Sequence, residues 1–461
     1  MIVDDTRGIT DLMETAETNG GARKWHFEES SGRFWVENSK ANWKALPLPM
    51  FKKYLKSQRY ASTRTAEAIA DGQILSDLDQ EIMDTMLESG IDYAGPMAGR
   101  YRGIHRWGST SALVTEDPYY ISPVEGDFPI FQAFLKDFLK TEKGDQWHYF
   151  LGWMQDSLRA YYDGDGHKGL TLVLAGSVNS GKSRLKDFIK TMLGNREALA
   201  MANMTGKDMF NRELAECAVW SIDDEAADTR PSERAKFAAE VKKVTGNTGL
   251  RTRGMHKEGM TLEPMTRLII CVNSEPDKIV VLPELSEDVE DKILILKSEL
   301  ETWPMPMNNW DEKKAFVQTV ESELPAFIYY MLNQYELPAA YVGARFTVKH
   351  FCHPDIFHEL HAVSPEIELL DFIERVIFTG DVTNWEGSTS DLRHELLDDT
   401  NSLHDGERRR VPASAWIGKR LSRLAKAYPD RFSKSRTRDA NIWLIFPENE
   451  QNAQEIEEEW E

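Results

Sequence analysis

The sequence predicts an α/β fold, and three apolar runs that each end in a polar signature predict it. Leu172-Val173-Leu174-Ala175 breaks at Gly176. Ala218-Val219-Trp220-Ser221-Ile222 ends in Asp223-Asp224-Glu225, and Leu268-Ile269-Ile270-Cys271-Val272 ends in Asn273. Runs this short and apolar throughout read as strands buried in a parallel sheet. An amphipathic helix over 145–163 (Trp147, Phe150, Leu151, Met154, Leu158) leads into the first, and a second helix (Leu185, Phe188, Ile189, Met192) leaves it.

The first run opens Gly176-Ser177-Val178-Asn179-Ser180-Gly181-Lys182-Ser183, which matches G-x-x-x-x-G-K-[ST] at every fixed position. Backbone N–H groups can turn inward around a phosphate only where no Cβ blocks the approach, so glycines stand at both ends. Lys182 is positioned for the β/γ-phosphates of ATP, Ser183 offers a hydroxyl to Mg²⁺, and the helix start adds its positive end. The acids closing the second run suit a metal ligand and a base for the attacking water. Asp223/Asp224 and Asp224/Glu225 are both workable pairs, with Asp223 on the metal and Asp224 as base the preferred one. Asn273 can hydrogen-bond the lytic water or the γ-phosphate.

At 461 residues and 41% apolar composition the chain is expected to hold two to four domains. No run of 18 apolar residues occurs and the start lacks a signal-peptide pattern, so neither membrane insertion nor export is expected. The three cysteines, Cys217, Cys271 and Cys352, are far apart and suit a reducing cytoplasm. A net charge of −21 argues against a surface coated in nucleic acid, but leaves room for a local basic channel.

Taken in order, residues 24–37 alternate around Ser30-Ser31-Gly32 and read as a hairpin, followed by helices over 49–58 and 74–88 and a strand-rich part over 99–123. No hydrophobic-D-x-D pair of a primase is present there, so residues 1–140 are read as an α+β scaffold or collar. The nucleotide-binding domain spans 141–345 and a linker 346–363. The linker holds His350, Cys352, His353, His358 and His361; their spacing fits no common zinc site, and a packed segment is expected.

Residues 364–448 contain three helical patterns (365–377, 389–397 and 413–427) and two strands (432–434 and 441–446), the pattern of a winged helix. From Arg408 to Arg438 eleven basic residues face one acid, Asp430. That excess marks Arg408, Arg409, Arg410, Lys419, Arg420 and Arg423 as phosphate contacts. The tail, 449–461, is acidic and reads as disordered.

The order GSVNSGKS, WSIDDE and RLIICVN, with the intervening VKKVTGNTGLRTRGMHKEGMTLEP, resembles the superfamily 3 helicases, above all the helicase part of phage, plasmid and poxvirus primase–helicases. The likeness covers roughly residues 95–345. It implies an AAA+-like ATPase that uses ATP and Mg²⁺ and forms a homo-oligomeric ring, commonly a hexamer, drawing single-stranded DNA through its pore. Residues 250–253 and 259–262 read as a hairpin with His256 and Lys257 near its tip, and the resemblance implies that these touch DNA inside the ring. It also implies that Lys242 reaches toward a nucleotide site. An arginine finger is expected after the asparagine, yet no arginine lies between Arg267 and Arg345. Lys292 stands at the family spacing; Arg251, Arg253 and Arg267 are the alternatives.

The resulting expectation is an ATP-dependent replication helicase of a mobile element in a bacterial host's cytoplasm, binding single-stranded and duplex DNA, with a separate primase or polymerase as a conceivable partner. A replication initiator or loader that hydrolyses ATP without processive unwinding is the alternative. A small-molecule kinase fits the hairpin and basic segment less well.

Overall fold

The computed structural model describes residues 25–447 except 39–41, 71, 165–166, 209–210, 224–230, 248, 253–258, 280, 284–286, 363, 381 and 437–440. The chain divides into two compact units, one made of residues up to Asn273 with 285–353, the other of 274–284 with the chain from Pro354 onward. That division falls inside the histidine-bearing segment. His353 belongs to the first unit, fully buried, with its ring bonded to Thr141 Oγ1 at 2.7 Å. Among the described residues no cluster of His, Cys, Asp or Glu is arranged to hold a metal ion.

The first unit begins with β1 (Trp25–Glu28), β2 (Arg33–Glu37) and β3 (Trp43–Leu46), then α1 (Leu48–Ser57), α2 (Asp77–Glu88) and β4 (Gly90–Ile91). Their sheet runs β3-β2-β1-β4, and Phe34 stacks on Phe51 of α1 at 4.2 Å to seed a small core. A second small sheet joins β5 (Tyr93–Gly95), β6 (Gly103–Trp107) and β7 (Thr110–Val114) in the order β5-β7-β6. The hairpin and helices read from the sequence are all present.

The central sheet holds the three signature strands. β8 (Thr171–Gly176), β9 (Glu197–Leu199), β10 (Val219–Asp223), β13 (Arg267–Asn273), β14 (Ile293–Ser298) and β15 (Phe351–Cys352) run parallel in the order β15-β14-β8-β13-β10-β9. Its three central strands, β8, β13 and β14, are almost wholly buried, which is why they read as unbroken apolar runs. β14 went unread in the sequence, where its residues appeared only as the surroundings of Lys292.

Around this sheet pack α3 (Pro129–Phe138), α4 (Gln146–Tyr162), α5 (Lys182–Met192), α6 (Pro231–Gly246) and α7 (Trp310–Asn333). Phe131, Phe134 and Phe138 of α3 enter the same core as Phe188 of α5 and Phe316 of α7. The Glu323 carboxylate of α7 accepts from the N–H groups of Ile130 and Phe131, satisfying the open end of α3. This helix, assigned from sequence to the N-terminal part, thus packs into the central core.

Below the sheet, Arg267 is fully buried and donates to Asp156 Oδ2 of α4 at 2.8 Å and to Ser157 Oγ at 2.9 Å. Gly169 is required beside them, since a Cβ there would meet Asp156 Oδ2 at 2.7 Å and the guanidinium at 2.8 Å. Burial raises the Asp156 carboxyl, but Arg267, His167 and Thr347 outweigh it and hold it below the usual range.

The second unit contains α8 (Pro354–Ala362), α9 (Pro365–Val376), β16 (Trp385–Ser388), α10 (Thr389–Leu396), α11 (Ser414–Ala427), β17 (Phe432–Arg436) and β18 (Asn441–Ile445). Its antiparallel sheet runs β16-β18-β17, and β16 is a strand the sequence reading lacked. Ser388 caps α10 in a capping box with Asp391. Leu369, Phe372, Ile373, Leu392, Ile417 and Leu421 form the helical side of its core, and Trp443 and Ile445 the sheet side.

Candidate nucleotide-binding site

The end of β8 folds as its glycines dictate. Gly176 sits where a Cβ would meet the Ser298 carbonyl at 2.7 Å and Ser180 Oγ at 2.8 Å. Gly181, the N-cap of α5, has φ +84°, in the left-handed region that glycine adopts without strain. Asn179, also left-handed at φ +65°, completes the turn. The loop is tied down where Ser298 Oγ donates to the Ser180 carbonyl at 2.6 Å.

Register brings the signatures together. Gly176 lies opposite Asn273 on one side and Ser298 on the other, and Asp223 lies opposite Cys271 one strand further out. Lys182 is buried, and its ammonium donates to the carbonyls of Gly176 (2.9 Å) and Ser177 (2.7 Å) and to Asn273 Oδ1 (3.2 Å). The P-loop lysine and the asparagine, 91 residues apart in sequence, therefore share one hydrogen bond.

A cavity of about 520 Å³ opens over Ser180, Gly181, Lys182, Ser183 and Asn273. Val178 and Asn179 also line it, with Trp303, Met307 and Lys313 on the far wall. These last three were missed in the sequence because they carry no motif. Only the packing of Trp303 against Phe134 and Phe316 brings its ring to the cavity. Ser177, Val178, Asn179 and Ser183 are exposed, so the loop's polar groups are open to a ligand.

The acid at the end of β10 is held by a residue that the sequence reading passed over. Lys186 of α5, its side chain 7% exposed, donates to Asp223 Oδ2 at 2.5 Å and to Glu197 Oε1 at 2.7 Å. Burial lowers the Lys186 ammonium, yet Asp223 and Glu197 outweigh it and raise it above the ordinary value. Asp223 Oδ1 is buried with no hydrogen-bond partner among the described residues, and the Cys271 thiol, pushed well up by burial and by Asp223, lies alongside. A spare carboxylate oxygen and the exposed Ser183 hydroxyl are the hard donors that Mg²⁺ takes, so the residues fit that ion. Asp224 and Glu225 lie outside the described residues.

Other residues singled out from the sequence stand as follows. Lys242 of α6 pairs with Asp288. Lys292 is 10% exposed, and its ammonium donates to the Asp288 carbonyl at 2.8 Å and to Asp291 at 2.5 Å. It is thus engaged within its own chain. Arg267, an alternative finger, is buried on Asp156; Arg251 is exposed. The hairpin exists as β11 (Leu250–Thr252) paired with β12 (Met260–Leu262), but His256, Lys257 and Arg253 lie outside the described residues.

In the second unit folding pairs part of the linear charge excess with acids. Arg408 pairs with Asp405 and Asp399, Arg410 with Glu368, Arg423 with Glu366 and Arg431 with Glu374. Arg420 donates to the Pro365 carbonyl. All five of these acids belong to segments that the count from 408 to 438 left out. Arg409 is exposed, Lys419 lies 4.3 Å over the ring of exposed Trp416, and Lys434 and Arg436 of β17 are exposed, with the Lys434 ammonium 5.4 Å from the Trp443 ring.

A family of unknown function (DUF5906) matches residues 174–302, which span the P-loop, the acidic strand and Asn273. No curated protein matches the chain. Among solved structures, the C-terminal region of NrS-1 superposes with a TM-score of 0.51 at 11% identity, covering 95% of this chain and 98% of that one. A second structure of that region, described as residues 305–718, gives the same values. The two proteins share a fold. A chain described as the active helicase SCCmec type IV Cch aligns at a TM-score of 0.31 and 11% identity, over 88% of this chain and 70% of that one, too loosely to bear on function.

Proposed function

We propose that this chain is an ATP-dependent DNA helicase of a mobile genetic element, working in replication as a homo-oligomeric ring. The observation that carries the reading is the hydrogen bond between Lys182 and Asn273 beneath an open cavity, with Asp223 on the next strand. A phosphate chain laid on the loop takes over the Lys182 ammonium from the Gly176 and Ser177 carbonyls. The exchange frees Asn273 to orient water at the terminal phosphate. Ser183 and Asp223, with Asp224, would hold Mg²⁺, which when bound would supply positive charge to the phosphate oxygens.

Coupling to DNA is supported by the β11–β12 hairpin, which leaves the nucleotide-binding core between the acidic and asparagine strands. His256 and Lys257 at its tip would meet a strand's phosphates without reading bases. The helix–strand–helix–helix–hairpin order of the second unit supports a winged helix that holds duplex. Among the described residues no helix is long and apolar enough to cross a membrane.

The test is ATP turnover and strand displacement on a forked substrate, with electron-microscopy images of particles carrying an ATP analogue and single-stranded DNA. Rings that displace the strand are expected. Turnover and DNA binding with no displacement would point to an initiator or loader.

A further inference from the structure

At the opposite end of the central sheet a second cavity, of about 240 Å³, opens beside the base of the hairpin. Lys168, three residues ahead of β8, and Thr266, just ahead of β13, place it at the amino ends of strands whose carboxyl ends carry the P-loop and Asn273. A strand of six residues separates the two sites, on the order of 20 Å.

Its lining divides by chemistry. Leu214 and Trp220 make an apolar floor, and Lys168, Lys243, Arg251 and Asn247 stand around it with one acid, Glu240. Three cations thus converge from three elements, the approach to β8, helix α6 and strand β11. Lys243 has a local partner in Glu240. Lys168 donates only to a neutral acceptor among its described partners, the Pro264 carbonyl, at 3.2 Å. Its burial, with Arg267 and Arg100 near it, pushes the ammonium down to about 8, and Glu263 opposes this only in part. A half-buried cation among like charges is stabilised by an anion entering from solvent.

We propose that this cavity is a second phosphate-recognition site, taking one nucleotide unit with its phosphate among Lys168, Lys243 and Arg251 and its apolar part over Leu214 and Trp220. An apolar ligand would leave Lys168 uncompensated, and a bare inorganic anion would leave the floor uncovered. The phosphate can come from a nucleic-acid strand lying along the β11–β12 hairpin or from a free mononucleotide; the recognition chemistry is shared. Only the strand source rests on the helicase reading.

The test saturates the P-loop of the full chain with a non-hydrolysable ATP analogue. It then measures binding of a short fluorescein-labelled oligothymidylate at several salt concentrations, and binding of thymidine 5′-monophosphate by calorimetry. Lys168→Gln and Lys243→Gln should each weaken the bound probe roughly tenfold. If the probe is the oligonucleotide, each should also reduce its log–log salt slope by about one unit. Lys168→Arg should restore both. An effect on the oligonucleotide assigns the site to a strand, and an effect on the mononucleotide alone assigns it to a free nucleotide.

Unchanged affinity for both probes, and an unchanged slope, in both glutamine variants overturns the site. Should Lys168→Gln fail to fold, Lys243→Gln, whose side chain is 59% exposed, carries the test alone. The two readings fail separately. Oligonucleotide-stimulated ATP turnover with wild-type affinity in these variants removes the site and leaves the helicase. Mononucleotide binding here by a chain that binds no oligonucleotide does the reverse.

Discussion

Lys186 Nζ lies 2.5 Å from Asp223 Oδ2, so the acid that closes the second signature strand is neutralised by a lysine one helical turn beyond the P-loop lysine. The same ammonium also holds Glu197, at the start of the neighbouring strand. Lys186→Met would leave two carboxylates facing each other across β9 and β10. The expected loss is about 1–3 kcal/mol, less than for a fully buried pair because Asp223 is 33% exposed. ATP affinity should persist while turnover falls at least tenfold, as Asp223 loses its fixed position. Thermal melting with single-turnover kinetics checks this, and Lys186→Arg should recover the melting temperature.

The Lys182–Asn273 contact predicts unequal effects at its two ends. Lys182→Ala should remove both binding and turnover of ATP, since it deletes the ammonium at the phosphates. Asn273→Ala should keep ATP binding within a few fold and lower turnover by roughly 10²-fold, the size expected for losing one preorganised polar group. Asp224→Asn should likewise bind and stall. Fluorescent-nucleotide binding beside phosphate release separates the classes, and normal turnover in Lys182→Ala would remove the P-loop assignment.

Lys292 is expected to act on its own subunit. Its ammonium is engaged by the Asp288 carbonyl and Asp291. Lys292→Ala should therefore lower the melting temperature, and mixing it with Asp224→Asn subunits should not restore turnover. Restored turnover at intermediate ratios would return to Lys292 the role of completing a neighbour's site.

For the second unit the prediction separates acid-paired from other exposed cations. Neutralising Arg409, Lys419, Lys434 and Arg436 should weaken duplex binding and flatten its salt dependence, by about one log–log unit per phosphate contact. Arg408→Ala and Arg410→Ala, which break partly exposed pairs worth about 1 kcal/mol or less, should leave the slope near wild type. A slope that follows Arg408 and Arg410 instead would mean that DNA displaces Glu368 and Asp405.

The buried Asp156–Arg267 pair fixes the sign of one pH dependence. The folded-state pKa of Asp156 is lowered, so its contribution is present above the unfolded value near 4 and is lost as pH falls through the lower folded value. Asp156→Asn should lose about 3–5 kcal/mol at neutral pH, because it removes the carboxylate that faces the buried Arg267 guanidinium. It should also flatten the acid limb of a stability–pH curve measured by urea unfolding.

The sequence by itself determined the pieces whose physics is local. An apolar run, a glycine that must turn left-handed and a serine cap act over a few residues. β8, β13, the β11–β12 hairpin, α4 and the helices of the second unit therefore stood at their observed positions to within a few residues. The P-loop lay in one contiguous stretch because backbone N–H groups must converge there. Only the tertiary structure decided what meets across distance. It inserted the Asn273 strand between the P-loop and acidic strands, set Lys186 on Asp223, buried Arg267 on Asp156 and turned Lys292 inward. It also brought Glu366, Glu368 and Glu374 against arginines 42 to 57 residues later in the chain. Ion pairs depend on where the chain returns after a helix or a strand crossing, and charge counted along the sequence holds no information about that return.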